Sequence, residues 1–323
     1  MLLSCCGQKG VTKGTDVTTN SAGIQSAETT KTPVFDADSA YAYIEKQVAF
    51  GPRVPNTEAH KACADYLATE LERHGAEIYI QEAVLTAYNG DKLNARNIIG
   101  AFNSATTRRI LLFAHWDTRP YADSDPNPAN HTKPFDGADD GGSGVGVLLE
   151  IARQIGANAP EVGIDIIFFD AEDYGIPTFA EGYYQSDTWC LGSQFWAKNP
   201  HVRNYKAEFG ILLDMVGSKG ATFYKERTSI QYAGRYVENV WTTARKLGYG
   251  KYFIQANGGM ITDDHLYINQ IRRIPSIDII NYNPEDSNTG FGVYWHTVND
   301  NMRIIDKETL KAVGQTVLEV IFN

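Results

Sequence analysis

Three short apolar runs in the middle of the chain each end on side chains that can hold a metal or a proton. Ile110-Leu111-Leu112-Phe113-Ala114 runs into His115, Ile164-Asp165-Ile166-Ile167-Phe168-Phe169 into Asp170-Ala171-Glu172-Asp173, and Ile211-Leu212-Leu213 into Asp214. Runs this short and this continuous read as strands buried on both faces. Parallel strands of that kind place their chemistry at their carboxyl ends. The expected fold class is therefore α/β: a single domain with a central, mostly parallel mixed sheet flanked by helices, and a metal site at the strand ends.

The surrounding pattern agrees with that grammar. Asp36 or Asp38 is placed to cap a helix running through Phe50, and the Gly51-Pro52-Arg53-Val54-Pro55-Asn56 turn leads to a second helix ending at Gly75. Strands are expected at Ile78 to Leu85 and Asn97 to Phe102. From Ile110 onward strand, loop and helix alternate. Gly144 to Ile155 carries Val147, Leu148, Ile151 and Ile155 at helical spacing. That helix begins just after Asp140, so its positive end points toward the strand tips. A last helix, Asp306 to Phe322, presents Leu310, Val313, Val317 and Val320 on one face.

Composition narrows the partners. With 43% hydrophobic and 21% charged residues in 323, a large core is available. The net charge of −10 leaves no basic cluster to neutralise a polyanion, so nucleic acid is not an expected partner. No apolar run approaches the roughly 20 residues that span a bilayer. Leu2-Leu3-Ser4-Cys5 has the pattern found around the cleavage site of bacterial lipoproteins, with Cys5 as lipid acceptor, although the basic and long apolar parts of a signal peptide are missing before it. Residues 1–6 are accordingly read as a signal remnant and 7–32, rich in Thr, Ser, Gly and Lys, as a flexible tether. The catalytic domain is expected over 33–323. These features imply export to the bacterial periplasm and membrane attachment through a lipid. Cys63 and Cys190 either bridge or remain buried thiols.

Zinc accepts aspartate and histidine, and a catalytic site keeps three protein ligands and one open position. Asp140, Asp173 and His296 form one such candidate set. Asp139-Asp140-Gly141-Gly142-Ser143-Gly144 reads equally as an acidic turn capping a helix. Glu172-Asp173 is more telling. One carboxylate can hold a metal while its neighbour serves as a general base, and two adjacent acids resist joint ionisation without a cation nearby. Trp295-His296-Thr297 supplies either a ligand or a structural histidine. Asp263-Asp264-His265 reads as a helix cap with one solvated acid, or as a buried carboxylate sharing a proton with Asp214.

On these motifs the chain, from about Arg53 to Asn323, resembles the zinc-dependent peptidases of the M28 type, and within them the glutaminyl-peptide cyclotransferases. The family's His-x-Asp motif is matched by His115-Trp116-Asp117, its Gly-Ala-x-Asp zinc motif by Gly137-Ala138-Asp139-Asp140, and its acidic pair by Glu172-Asp173; Asp214 and His296 fall in its Leu-Leu-Asp and His-Thr motifs. The resemblance implies a zinc-aminopeptidase-like fold and one zinc per chain on Asp140, Asp173 and His296. It also implies Glu172 as general base, with Asp214 and Asp263 as carboxylates working beside it. Phe291 and Trp295 would line the substrate pocket. Trp189 is the nearest candidate for the family's pocket tryptophan, at a different spacing. The implied activity is conversion of N-terminal glutamine of peptides and proteins to pyroglutamate with release of ammonia; for oligomeric state a monomer is the default expectation. Two departures stand out: animal cyclases carry two glutamates where this chain has Glu172-Asp173, and Pro120 to Asp136 is unusually rich in Pro and Asp. The alternative is a two-zinc aminopeptidase, in which His115 and Asp214 hold a second metal bridged by Asp140.

Overall fold

Asp36 starts the first helix, α1 (Ala37–Val48), by accepting hydrogen bonds from the backbone N–H groups of Asp38 and Ser39. Thr57 does the same for α2 (Glu58–Arg73), which stops at the Gly75 turn. The computed structural model describes residues 10, 31–181, 187–286 and 289–323. Cys5, the signal remnant and nearly all of the 7–32 tether lie outside the described residues. Lys31–Asn323 forms one compact unit.

An antiparallel hairpin follows, β1 (Glu77–Thr86) and β2 (Lys92–Phe102). β2 begins at Lys92 rather than Asn97. Its first half alternates exposed Lys92 and Asn94 with buried Leu93 and Ala95, a half-wet pattern without the continuous apolar run that marked its second half. The chain continues through β3 (Arg109–His115), α3 (Ser143–Ala157), β4 (Gly163–Phe169), α4 (Leu191–Lys198), β5 (Phe209–Asp214), β6 (Phe223–Lys225), α5 (Arg227–Lys246), β7 (Phe253–Asn257), α6 (Asp264–Tyr267), β8 (Ser276–Ile280) and α7 (Lys307–Phe322).

The main sheet has the order β1-β2-β4-β3-β5-β8. β4, β3, β5 and β8 run parallel, and β2 joins β4 antiparallel. All residues of β4, β5 and β8 are buried, as their apolar runs required. Successive side chains point to opposite faces. Leu112, Ile166 and Leu213 share one core with Ile44 of α1, Leu148 of α3, Val237 of α5 and Val317 of α7, while Phe113, Ile167 and Leu212 share a second with Trp196 of α4 and Tyr205. Each fully buried large apolar side chain contributes about 1.5–3 kcal/mol. The one charge inside the β4 run, Asp165, is met by Arg109 on two oxygens at 2.6 Å each and by the Tyr205 hydroxyl at 2.6 Å. No described helix is long and apolar enough to cross a membrane.

Candidate metal centre and active site

The parallel strands bring the three polar termini together. β3 ends on His115 and β5 on Asp214, with His115 Nε2 3.2 Å from Asp214 Oδ1. The same Nε2 lies 3.0 Å from Asp140 Oδ1. Asp140 does not cap α3; Gly142 occupies that position without a side-chain hydrogen bond. Its neighbour Asp139 accepts from the Gly217 N–H at 2.7 Å, and the N–H groups of both aspartates are held by the Asp300 carboxylate at 2.8 and 3.0 Å. Gly141, at φ +86°, lets this turn press on the His115 motif: a Cβ there would meet the Asp117 carbonyl oxygen at 2.3 Å. The Asp117 carboxylate accepts from the Glu172 and Asp173 N–H groups at 3.0 and 3.2 Å, fixing the turn after β4.

Backbone strain gathers at the same end. Ala171, Cys190, Met215 and His296 all have left-handed φ values, between 47° and 57°. Each costs about 1–3 kcal/mol and persists where its surroundings hold it. They precede Glu172, follow Asp214, or are site residues themselves.

Two groups of ligand-type side chains result, each with atoms within 4.8 Å of one another: Asp140, Asp173 and His296, and His115, Asp140 and Asp214. In the first, His296 Nε2 lies 3.3 Å from Asp173 Oδ1 and 3.6 Å from Asp140 Oδ2. Asp173 is 1% exposed, yet neither carboxylate oxygen has a hydrogen-bond partner. A buried carboxylate without hydrogen-bond donors is costly unless a cation compensates it, and one cationic side chain is close, Arg119 Nη1 at 3.6 Å from Oδ1. The donor set of two carboxylates and one imidazole suits zinc, with a position to spare.

Above this group lies a cavity of about 160 Å³ whose polar side includes Glu172, Asp214 and Asp263 and whose apolar side includes Trp189, Ile261, Ile280, Phe291 and Trp295. It is smaller than drug-sized pockets of about 300–1,000 Å³. The Trp295 ring stacks on His296 at 3.7 Å between centroids, and Phe291 lies 5.0 Å from Trp295. Trp189, at its unfamiliar spacing, reaches the same wall, its ring inclined 14° to the His296 imidazole at 6.0 Å. Gly175 permits this, since a Cβ there would sit 2.1 Å from the indole.

Residues 97–321 match peptidase family M28. The chain belongs to this family. The M28 chain is 74% identical to the structure of Tannerella forsythia glutaminyl cyclase, with a TM-score of 0.88 over 90% of this chain and 99% of that one. It is 69% identical to a Zn-dependent exopeptidase from Parabacteroides distasonis, with a TM-score of 0.89 over 91% and 100%. A Bacillus subtilis aminopeptidase is 25% identical over 84% of this chain, which spans 54% of that relative's length.

Electrostatics distinguish the carboxylates of the M28 chain. Burial pushes Glu172 well above the usual carboxylate range; His115 opposes this, and nearby Asp173 and Asp263 add to it. Burial raises Asp263 to about 7, reinforced by Asp214, and raises Asp214 to about 6 against the pull of His115. Asp263 caps α6, accepting from the Asp264 N–H at 2.5 Å. The reading of that pair as a cap with one solvated acid needs correction: Asp263 is 3% exposed and Asp264 fully buried. The segment before α6 is held by Glu226, which accepts from the Ile261 N–H at 2.9 Å.

Cys63 and Cys190 are both buried free thiols. The Cys190 thiol donates to Glu172 Oε1 at 3.0 Å, and its backbone N–H donates to the Glu172 carbonyl at 2.9 Å. Sequence reasoning missed this contact, as it missed Glu226 and Asp300. The partners that matter, Glu172 for Cys190, Ile261 and His265 for Glu226, and Asp139 and Asp140 for Asp300, are 18 to 161 residues away, and no motif marks them.

Proposed function

We propose that the chain is a zinc-dependent glutaminyl-peptide cyclotransferase, converting N-terminal glutamine of peptides and proteins to pyroglutamate with release of ammonia. The observation that carries this reading is the small aromatic-walled cavity with three raised carboxylates at one side and a zinc-type ligand group beside it. The 74% identity to a glutaminyl cyclase supports it.

Asp140, Asp173 and His296 would hold one zinc per chain, which when bound supplies a Lewis acid that polarises the glutamine side-chain carbonyl. Glu172 takes a proton from the substrate α-amine as that nitrogen forms its bond to the amide carbon. It then returns the proton to the leaving nitrogen as the carbon–nitrogen bond breaks. A carboxyl group whose pKa burial raises above the usual carboxylate range is suited to both halves of that exchange. Asp214 and Asp263 share a proton and orient the amine, consistent with two like charges that resist joint ionisation. Trp295, Phe291 and Trp189 enclose the aliphatic part of the glutamine and exclude water. The reaction consumes none.

The test is incubation with a short peptide bearing N-terminal glutamine, with ammonia and product mass recorded with and without chelator. Chelator-sensitive loss of one ammonia supports the reading; an unchanged peptide contradicts it. The second group, His115, Asp140 and Asp214, favours a second reading, a two-zinc aminopeptidase. Two tightly bound zincs together with release of free glutamine would establish that alternative.

The wider setting belongs to the same proposal. The catalytic domain spans 33–323, follows a tether over 7–32, and acts as a monomer attached through lipidated Cys5 and facing the periplasm. Fatty-acid label that fails to enter the full-length protein, or that enters a Cys5→Ala variant, contradicts the anchor.

A further inference from the structure

Arg119 and Asp123 lie at the start of the Pro- and Asp-rich stretch before Asp140, and none of the motifs explains them. They are buried and face each other through two bonds, Arg119 Nε to Asp123 Oδ1 at 2.8 Å and Nη2 to Oδ2 at 2.9 Å. Such a pair, out of water, needs every remaining site satisfied to be tolerated. The remaining sites point at the zinc-type group. Asp123 Oδ1 also lies 3.2 Å from His296 Nδ1, a buried nitrogen with no other partner, and Oδ2 accepts from the Thr178 N–H at 2.8 Å. Arg119 Nη1 donates to the Asp173 carbonyl at 3.1 Å and lies 3.6 Å from Asp173 Oδ1, while its guanidinium sits 4.5 Å from the Trp189 ring. The next residue, Ser124, donates its N–H to the His296 carbonyl at 3.1 Å.

We infer that the Arg119–Asp123 pair positions the zinc site, with Asp123 holding the Nδ1 proton of His296 so that Nε2 faces the metal and Arg119 holding Asp173 and the Trp189 wall. The inference rests on the reading of His296 and Asp173 as zinc ligands. The chemistry is that of a carboxylate fixing the tautomer and orientation of a metal-bound imidazole, whose loss weakens metal binding by about 10–100-fold. One ion pair thereby couples two of the three ligands and a wall of the pocket, which gives the variant loop a function.

The experiment is zinc competition against a chromophoric chelator for the full chain, Asp123→Asn and His296→Ala. Asp123→Asn is expected to bind zinc about 10–100-fold more weakly. An unchanged affinity in Asp123→Asn, with zinc lost in His296→Ala, overturns the positioning role. An unchanged affinity in His296→Ala instead overturns the ligand assignment beneath it. The imidazole ¹⁵N spectrum of the unaltered zinc-loaded protein decides the matter even if Asp123→Asn does not fold. A His296 ring protonated at Nδ1 and metal-shifted at Nε2 is expected, and the reverse pattern overturns the inference.

Discussion

Replacing Glu226 by Gln tests whether the pocket depends on a carboxylate that never touches substrate. Glu226 is 1% exposed and accepts from Thr228 N at 2.7 Å, Ser229 N at 2.6 Å and Ile261 N at 2.9 Å, with His265 Nε2 3.1 Å away. Burial alone would raise its pKa, but His265 and the backbone donors hold it at about 2, below the ordinary glutamate value of 4.5. Between those values the unfolded chain binds more protons than the folded one, so stability rises with pH across this window. The contribution is complete above the upper value and lost as pH falls through the lower. At about 1.4 kcal/mol for each pH unit, the carboxylate contributes about 3 kcal/mol at neutral pH. Gln retains one acceptor oxygen and loses the charge, so urea unfolding at pH 7 should show a loss of that order, narrowing as pH falls below the upper value. Ile261 lines the pocket two residues before Asp263, so turnover should fall as well. A variant as stable as the parent at pH 7, or a gap that does not shrink with acid, would refute the reasoning.

Further outcomes follow from the same geometry. Glu172→Gln should lower kcat by about 10²–10⁴-fold, the range for a positioned acid–base group, while zinc content stays unchanged; undiminished turnover would remove Glu172 from the role of base. Cys190→Ala should lower kcat by about 10–100-fold with little change in KM, because a hydrogen bond to a charged group is worth about 1.5–3 kcal/mol, and Cys190→Ser should recover most of it. A KM effect alone would show that the thiol does not position Glu172. Removing zinc should lower the thermal midpoint, since Asp173 and Asp140 then repel with only Arg119 and His296 nearby to offset them; equal midpoints for the loaded and stripped protein would contradict the ligand set.

The legible part of the molecule was the part written locally. His115, Asp173 and Asp214 each end or follow a continuous apolar run, so the strands announced them, and Asp36 and Asp306 marked helix starts within one residue or so of the observed bounds. Asp139 and Asp300 are different: their contact spans 161 residues of sequence and involves a backbone N–H, which no side-chain pattern encodes. Glu226 was invisible because glutamate is an uncommon cap and its value comes from Ile261 and His265 folding back on it. The left-handed backbone at Ala171 could not be read either, since nothing in alanine favours it, and at His296 the modest enrichment of histidine in that region is too weak a signal. Trp189 stands out only as the nearest match, at a different spacing, to the pocket tryptophan that the resemblance implies, and its place depends on Gly175 leaving room for the ring.

The central claim is that the substrate's own amine, not water, attacks the glutamine side chain. The direct measurement is turnover of a glutamine-terminated peptide in H₂¹⁸O, with its side-chain amide nitrogen labelled with ¹⁵N and products read by mass spectrometry. All of the ¹⁵N should leave as ammonia, and the ring-closed peptide should carry no ¹⁸O. Free glutamine, or a product carrying ¹⁸O in a newly formed carboxyl group, would contradict the account and move the chain to hydrolysis.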